Sequence, residues 1–130
     1  MKDNLLFLDC ETTGVEETDR LCQIAYKKGD ELRNLYFKPP VPISVEAMSI
    51  THITNEFVAD KAPFQGGTWY HRLKSFFADD RIVIIAHNAH FDLEMLKKEG
   101  LVLPAKHICT MKISHYHDAE LQKNAGKAVV

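Results

Sequence analysis

Asp9 and Glu11, separated by one residue, are the pair in this sequence whose types and spacing best suit chemistry. Side chains two apart along a strand point the same way, so both carboxylates would project together from the end of the apolar run Leu5-Leu6-Phe7-Leu8. Two acids that close repel, and either one holds a proton or both face a cation. Hard oxygen ligands suit Mg²⁺ or Mn²⁺ better than Zn²⁺. Thr12-Thr13-Gly14 then turns the chain and offers backbone N–H groups and hydroxyls beside the acids. Acids at a strand end are common on any surface. The apolar run before this pair and the T-T-G after it make the pattern specific.

A second cluster, His87-Asn88-Ala89-His90-Phe91-Asp92, joins the apolar segment 81–86 to a helix. Asn88 suits the N-cap of that helix, and Asp92 falls in its first turns, where the helix dipole favours negative charge. Routine helix stabilisation accounts for both residues when the cluster is taken alone. A carboxylate at a strand–helix junction can also face the end of a neighbouring central strand, where Asp9 and Glu11 emerge. His87 and His90 stand at i, i+3, but no third nitrogen or sulfur ligand at a recognisable spacing completes a transition-metal set.

In this order and context the two clusters resemble the DEDD superfamily of 3′→5′ exonucleases. The resemblance is to the DEDDh branch, which contains the proofreading epsilon subunit of bacterial DNA polymerase III. The family's first motif, D-x-E-T-T-G, is matched by Asp9, Glu11, Thr12, Thr13 and Gly14. Its second, H-N-x-x-F-D, is matched by His87, Asn88, Phe91 and Asp92. Between them EAMSITHIT, with His52, resembles the segment that lines the substrate cleft in many members. The resemblance spans residues 4–113.

The resemblance implies a ribonuclease H-like fold and hydrolysis assisted by two divalent cations, Mg²⁺ or Mn²⁺. It implies that Asp9 bridges both ions, that Glu11 binds the one on the nucleophile side, and that Asp92 helps to hold the other. Thr12, Thr13 and Gly14 would lie at the terminal nucleotide, with His52, His87 and Asn88 near its sugar or phosphate. The partner would be a single-stranded DNA or RNA 3′ end, and a DNA polymerase subunit a further one. The family's third motif, H-x-A-x-x-D, supplies a general-base histidine and the fourth carboxylate. His115 followed by Glu120 mimics its spacing, but His117 stands where the alanine belongs and nothing around it reads as a helix. His115, His117 and Asp118 are therefore expected on the surface, and the 130 residues alone are expected to have low activity. The alternative is a catalytically inactive module that keeps the fold and binds nucleic acid or protein; a repelling pair of acids has no role there.

These residues need elements to hold them. Residues 4–9 have the unbroken apolar pattern of a central strand buried on both faces. Residues 21–26 and 32–38 read as two more strands, joined by a polar turn at Lys27-Lys28-Gly29-Asp30-Glu31. Pro39, Pro40 and Pro42 end the sheet there. Ser44 and Thr54 suit the N-caps of two short helices across VEAMSI and NEFVAD. Gly66-Gly67-Thr68 opens a helix in which Trp69, Leu73, Phe76 and Phe77 form one apolar stripe, better suited to a core than to stacking on bases. Residues 81–86 predict another fully buried strand, 89–99 a helix closed by Gly100, and 107–111 a last strand. From Ser114 the periodicity fades. The expected architecture is α/β, a ribonuclease H-like mixed sheet flanked by helices and C-terminally incomplete. Residues 1–113 would be the exonuclease domain and 114–130 an irregular tail.

Composition narrows the function classes. Apolar residues make up 45% and charged residues 26%, the balance of an ordinary folded chain. A net charge of −2 disfavours a protein that coats nucleic acid through a broad basic face, but not one that grips a strand end through cations. Lys27-Lys28 and Lys97-Lys98 read as solvated faces. Cys10, Cys22 and Cys109 form no C-x-x-C pair and suit reduced, buried thiols. No apolar run has the ~20 residues of a membrane span, and strand-like sequence begins too early for a signal peptide. No membrane contact and a cytoplasmic location are expected.

Overall fold

Leu5–Thr12 forms strand β1 at the centre of the sheet, and its burial alternates along the strand. In the computed structural model, which describes the backbone of residues 2–129 and the side-chain surroundings of residues 3–123, Leu6, Leu8, Cys10 and Thr12 are buried. Phe7 is 47% exposed and Asp9 is exposed beside it. The expected strand buried on both faces is thus corrected: helices cover only the side bearing Leu6, Leu8 and Cys10.

Leu21–Lys28 (β2) and Glu31–Tyr36 (β3) form the hairpin. Its turn contracts from the five expected residues to Gly29-Asp30, because Lys27 and Lys28 pair with Leu32 and Glu31 in the ladder. Gly29, at φ 59°, takes the left-handed conformation that such a turn demands. Val83–Ala86 (β4) lies parallel to β1, and Lys106–Cys109 (β5) parallel to β4, giving the order β3-β2-β1-β4-β5. With β2 antiparallel to its neighbours the sheet is mixed, as expected. β4 also alternates: Ile84 and Ala86 are buried, while Val83 and Ile85 are only partly so.

The β1–β2 register slips between Glu11, opposite Gln23, and Thr12, opposite Leu21. Cys22 is the extra residue of this bulge, which bends the strands at the position of the acids. Leu21 and Cys22 consequently enter different cores. Leu21 joins the main one, and Cys22 packs with Ile43, Ala47, Ile53 and Val58 beneath the short helices Val45–Thr51 (α1) and Asn55–Val58 (α2). Both expected caps are present: Ser44 accepts from the Ala47 N–H and Thr54 from the Phe57 N–H, each at 3.0 Å.

Thr68–Phe77 (α3) buries Leu73 and Phe77 in the main core, with Trp69 and Phe76 packed at its edge. Ala89–Lys98 (α4) adds Ala89, Leu93 and Leu96 and stops at Gly100, whose φ of 87° suits a glycine after a helix. The segment from Ser114, expected to be irregular, is corrected. It continues a helix, Thr110–Val129 (α5). Its described side chains are exposed almost throughout, so among the described residues no packing stripe marks the helix in the sequence. Cys10 and Cys22 are buried and Cys109 half-buried, all as free thiols. Among the described residues no helix is long and apolar enough to cross a membrane.

Candidate active site

β1 presents Asp9 and Glu11 on its less covered face, as strand alternation requires, and α4 brings Asp92 up to them. The start of α4 is drawn against the sheet edge by buried Ala89, whose N–H donates to Cys109 Sγ at 3.4 Å. Asp92 is only 3% exposed, and its Oδ2 is buried with no hydrogen-bond partner. Burial pushes the Asp92 carboxyl up from 3.8 to about 7; the Asp9 charge adds to the rise, the Cys10 backbone N–H opposes it, and Glu11 and Cys109 add further. Glu11 is raised by burial and then by Asp9. Burial, and then Asp92, Asp9 and Glu11 in turn, push the Cys10 thiol well up, which leaves it inert.

An unpartnered buried carboxylate oxygen is costly unless a proton or cation meets it. Among the described residues no group of three His, Cys, Asp or Glu side chains stands ready to hold an ion as placed. Three like charges resist convergence, and a cation removes that resistance. Oxygen donors only, one of them buried without a partner, fit a hard divalent cation.

The loop after β1 is held more tightly than T-T-G alone suggests. Thr12 Oγ1 donates to the Gly14 carbonyl at 2.6 Å. Thr13 is fully buried; its hydroxyl donates to Asp19 Oδ1 at 2.6 Å and accepts from the Arg20 N–H at 3.1 Å. Its side chain has no exposed surface and closes the loop. The other Asp19 oxygen accepts from the Glu16 N–H at 2.8 Å. A Cβ on Gly14 would overlap this carboxylate, which is why glycine stands there.

At the far end of the loop the Arg20 guanidinium grips both oxygens of Glu99, the C-cap of α4, at 3.0 and 2.5 Å. Lys98 Nζ donates to the carbonyls of Glu16 and Asp19 at 3.1 and 3.2 Å, correcting the solvated face expected there. Asp19, Arg20 and Glu99 were not singled out from the sequence. No spacing rule links residues so far apart along the chain.

Two cavities flank the acids. One of about 420 Å³ lies between the loop and α1, lined by Glu11, Thr12 and Gly14 on one side and Ala47, Ile50 and Thr51 on the other, with Phe91 of α4. EAMSITHIT thus lines a cleft, but not through His52, which is exposed and ends α1 in a left-handed conformation, φ 61°. The other, of about 550 Å³, runs along the sheet from Phe7 and Ile85 to Asp9, His87 and Thr110. His87 Nδ1 is 3.1 Å from Thr110 Oγ1. Asn88 occupies the N-cap position of α4, but at φ 62° it makes no side-chain capping bond, which corrects its expected capping role.

The exonuclease family matches residues 6–124, nearly the whole chain and both acidic motifs. The chain belongs to the exonuclease family. This agrees with the DEDD-superfamily resemblance of the motifs, and the matched span runs past residue 113 into α5. Exodeoxyribonuclease 10 of Escherichia coli K12 is 34% identical over 84 residues, which cover 59% of this chain and 30% of that relative. A structure of exonuclease X in complex with 5′-overhanging duplex DNA shares 28% identity and a TM-score of 0.62, covering 86% of this chain and 63% of that one. E. coli exonuclease I in complex with a dA16 oligonucleotide shares 26% identity at a TM-score of 0.62, over 73% of this chain and 23% of the other. A product-bound exonuclease I, at 20% identity, supports the fold alone, with a TM-score of 0.70 over 88% of this chain and 31% of its own. The α/β, ribonuclease H-like exonuclease fold therefore holds. The chain spans 30% of the length of the curated relative.

Proposed function

We propose that the chain carries the catalytic carboxylates of a divalent-cation-dependent nuclease that removes nucleotides from 3′ ends. The observation that carries the reading is the buried, unpartnered Asp92 oxygen, coupled by charge to Asp9 and Glu11. Asp9, Glu11 and Asp92 would hold two ions, Mg²⁺ or Mn²⁺. When bound, these supply Lewis acidity at a phosphate and stabilise the charge that develops as its ester bond breaks. The remaining work falls to the protein. Gly14 and the Thr12 loop leave room for a strand terminus, and Ala47, Ile50 and Phe91 give it an apolar wall that excludes water from one side. His87, which lines the same cavity as Asp9, is suited to bond a phosphate oxygen, with exposed Asn88 next to it in the chain; a role for His52 rests on the motif resemblance alone.

Single-stranded DNA is the favoured substrate over RNA, because the structural relatives named above hold DNA. Association with a polymerase subunit rests on the motif resemblance alone. Reduced thiols suit a cytoplasmic enzyme. Turnover by the 130 residues alone is expected to be low: His115 is exposed on α5, and no other histidine there takes the part of the third motif's general base.

A 5′-labelled strand with a 3′-hydroxyl, incubated with Mn²⁺, should lose nucleotides stepwise from its 3′ end, and a 3′-phosphate should block the loss. Internal cleavage of a circular single strand would overturn the polarity. Titration calorimetry showing equal Mn²⁺ affinity for the parent and Asp9→Asn would overturn the metal assignment.

A further inference from the structure

We infer that Asp19 and Lys98 are positioning residues that lock the loop of residues 13–20 against α4, making it the fixed wall of the cleft between loop and α1. The inference rests on the nuclease reading above and deepens it, because it names what holds the strand terminus in register with the carboxylates.

The loop has little apolar packing of its own to hold it. Val15 is 80% exposed, and Glu16, Glu17 and Thr18 are exposed as well. Ordering such a segment carries a backbone entropy cost that must be offset by polar contacts. Those contacts converge on two side chains. Asp19 spends one oxygen on the Thr13 hydroxyl and the other on the Glu16 N–H, and it occupies the space beside Gly14. Lys98 bridges the carbonyls of Glu16 and Asp19 from the outside.

The ends of the loop are already fastened without them. The Thr13 N–H donates to the Arg20 carbonyl, the Ser44 N–H donates to the Thr13 carbonyl, and Arg20 is paired with Glu99. Asp19 and Lys98 therefore act on the middle of the loop, whose Gly14, Val15 and Glu16 line the cleft. Lys98 also belongs to the helix that carries Asp92. One rigid element thus sets both the wall and a carboxylate, and a terminus resting on the wall keeps a constant relation to the acids.

The test measures binding of single strands ending in 3′-hydroxyl or 3′-phosphate by fluorescence anisotropy, with Ca²⁺ present to suppress hydrolysis. Mn²⁺ affinity by calorimetry and melting temperature are read alongside. Lys98→Met and Asp19→Asn should each weaken binding of the 3′-hydroxyl strand about tenfold and erase its preference over the 3′-phosphate strand, as expected for losing a charged hydrogen-bonding group. Mn²⁺ affinity should stay within about twofold of the parent, because the carboxylates are untouched. Lys98→Arg, which can still bridge two carbonyls, should restore the preference. A parent that discriminates between the ends while Lys98→Met discriminates equally well would overturn the lock alone. So would Mn²⁺ affinity that falls in step with strand affinity, or a loss that tracks melting temperature and is not rescued by arginine. A parent with no preference for a 3′-hydroxyl end would overturn the nuclease reading and the lock together.

Discussion

The loop of residues 13–20 and helix α5 both border the carboxylates, yet the first is fastened at several points, while the described side chains of the second are almost all exposed beyond its first turn. The loop is polar and mostly exposed, and it is held by Asp19, by Lys98 and by the Arg20–Glu99 pair. α5 carries apolar Ile113, Tyr116 and Leu121, all exposed, so hydrophobic content does not decide which segment is fixed. Partner geometry decides it. A guanidinium that meets a buried carboxylate in two hydrogen bonds orders its neighbours more than an apolar side chain that meets nothing.

The comparison breaks most sharply through activity. Asp92→Asn should lower nucleotide release by about 10²-fold or more, as loss of a preorganised charge does. His115→Ala on α5 should leave release within about twofold. Equal losses in a timed 3′-end assay would make the free side part of the chemistry.

Stability offers the next test. Arg20→Met strands the Glu99 carboxylate, which is almost fully buried. Urea unfolding should show a loss of about 2–3 kcal/mol, less than a wholly buried pair would give because Arg20 is 23% exposed. A loss below about 0.5 kcal/mol would mean that the pair does not fasten the loop.

Without divalent cations the site itself should destabilise the fold as pH rises. The Asp92 carboxyl is raised from 3.8 to about 7 in the folded chain, so the fold favours its protonated form. That contribution is complete below about pH 4 and is lost as pH climbs through about 7, on the order of a few kcal/mol. Melting temperature in a chelator should fall over this window, Asp92→Asn should flatten the fall, and Mn²⁺ should reverse it. A parent as flat as the variant would remove the argument for a cation at Asp92. The smallest effect belongs to the free side: Tyr116→Ser should change stability by no more than about 0.5 kcal/mol in thermal unfolding followed by circular dichroism.

The acids, their order and the strand and helix that carry them were legible because each signal is local: D-x-E at a strand end, Asp92 after a strand–helix junction, hydroxyl caps at Ser44 and Thr54. α5 was misread for the converse reason. Among the described residues α5 buries no side chain fully, so its sequence carries little apolar period and resembles a tail. Thr13 and Asn88 were placed by motif; the Thr13 hydroxyl closes the loop on Asp19 and Arg20, and Asn88 sits at the N-cap position of α4 in a left-handed conformation with no capping bond from its side chain.

The sequence by itself determined which residues could do chemistry here and which family they belong to, since residue type and short spacing are set by covalent connection. Only the tertiary structure decided that Asp92 is buried with one oxygen unpartnered, and that Lys98 and Glu99 hold the loop after β1. Burial and a long-range ion pair depend on how the chain packs against itself. A carboxyl near 3.8 and one near 7 are the same residue in the sequence; the low-polarity surroundings and neighbouring charges that separate them exist only in the fold.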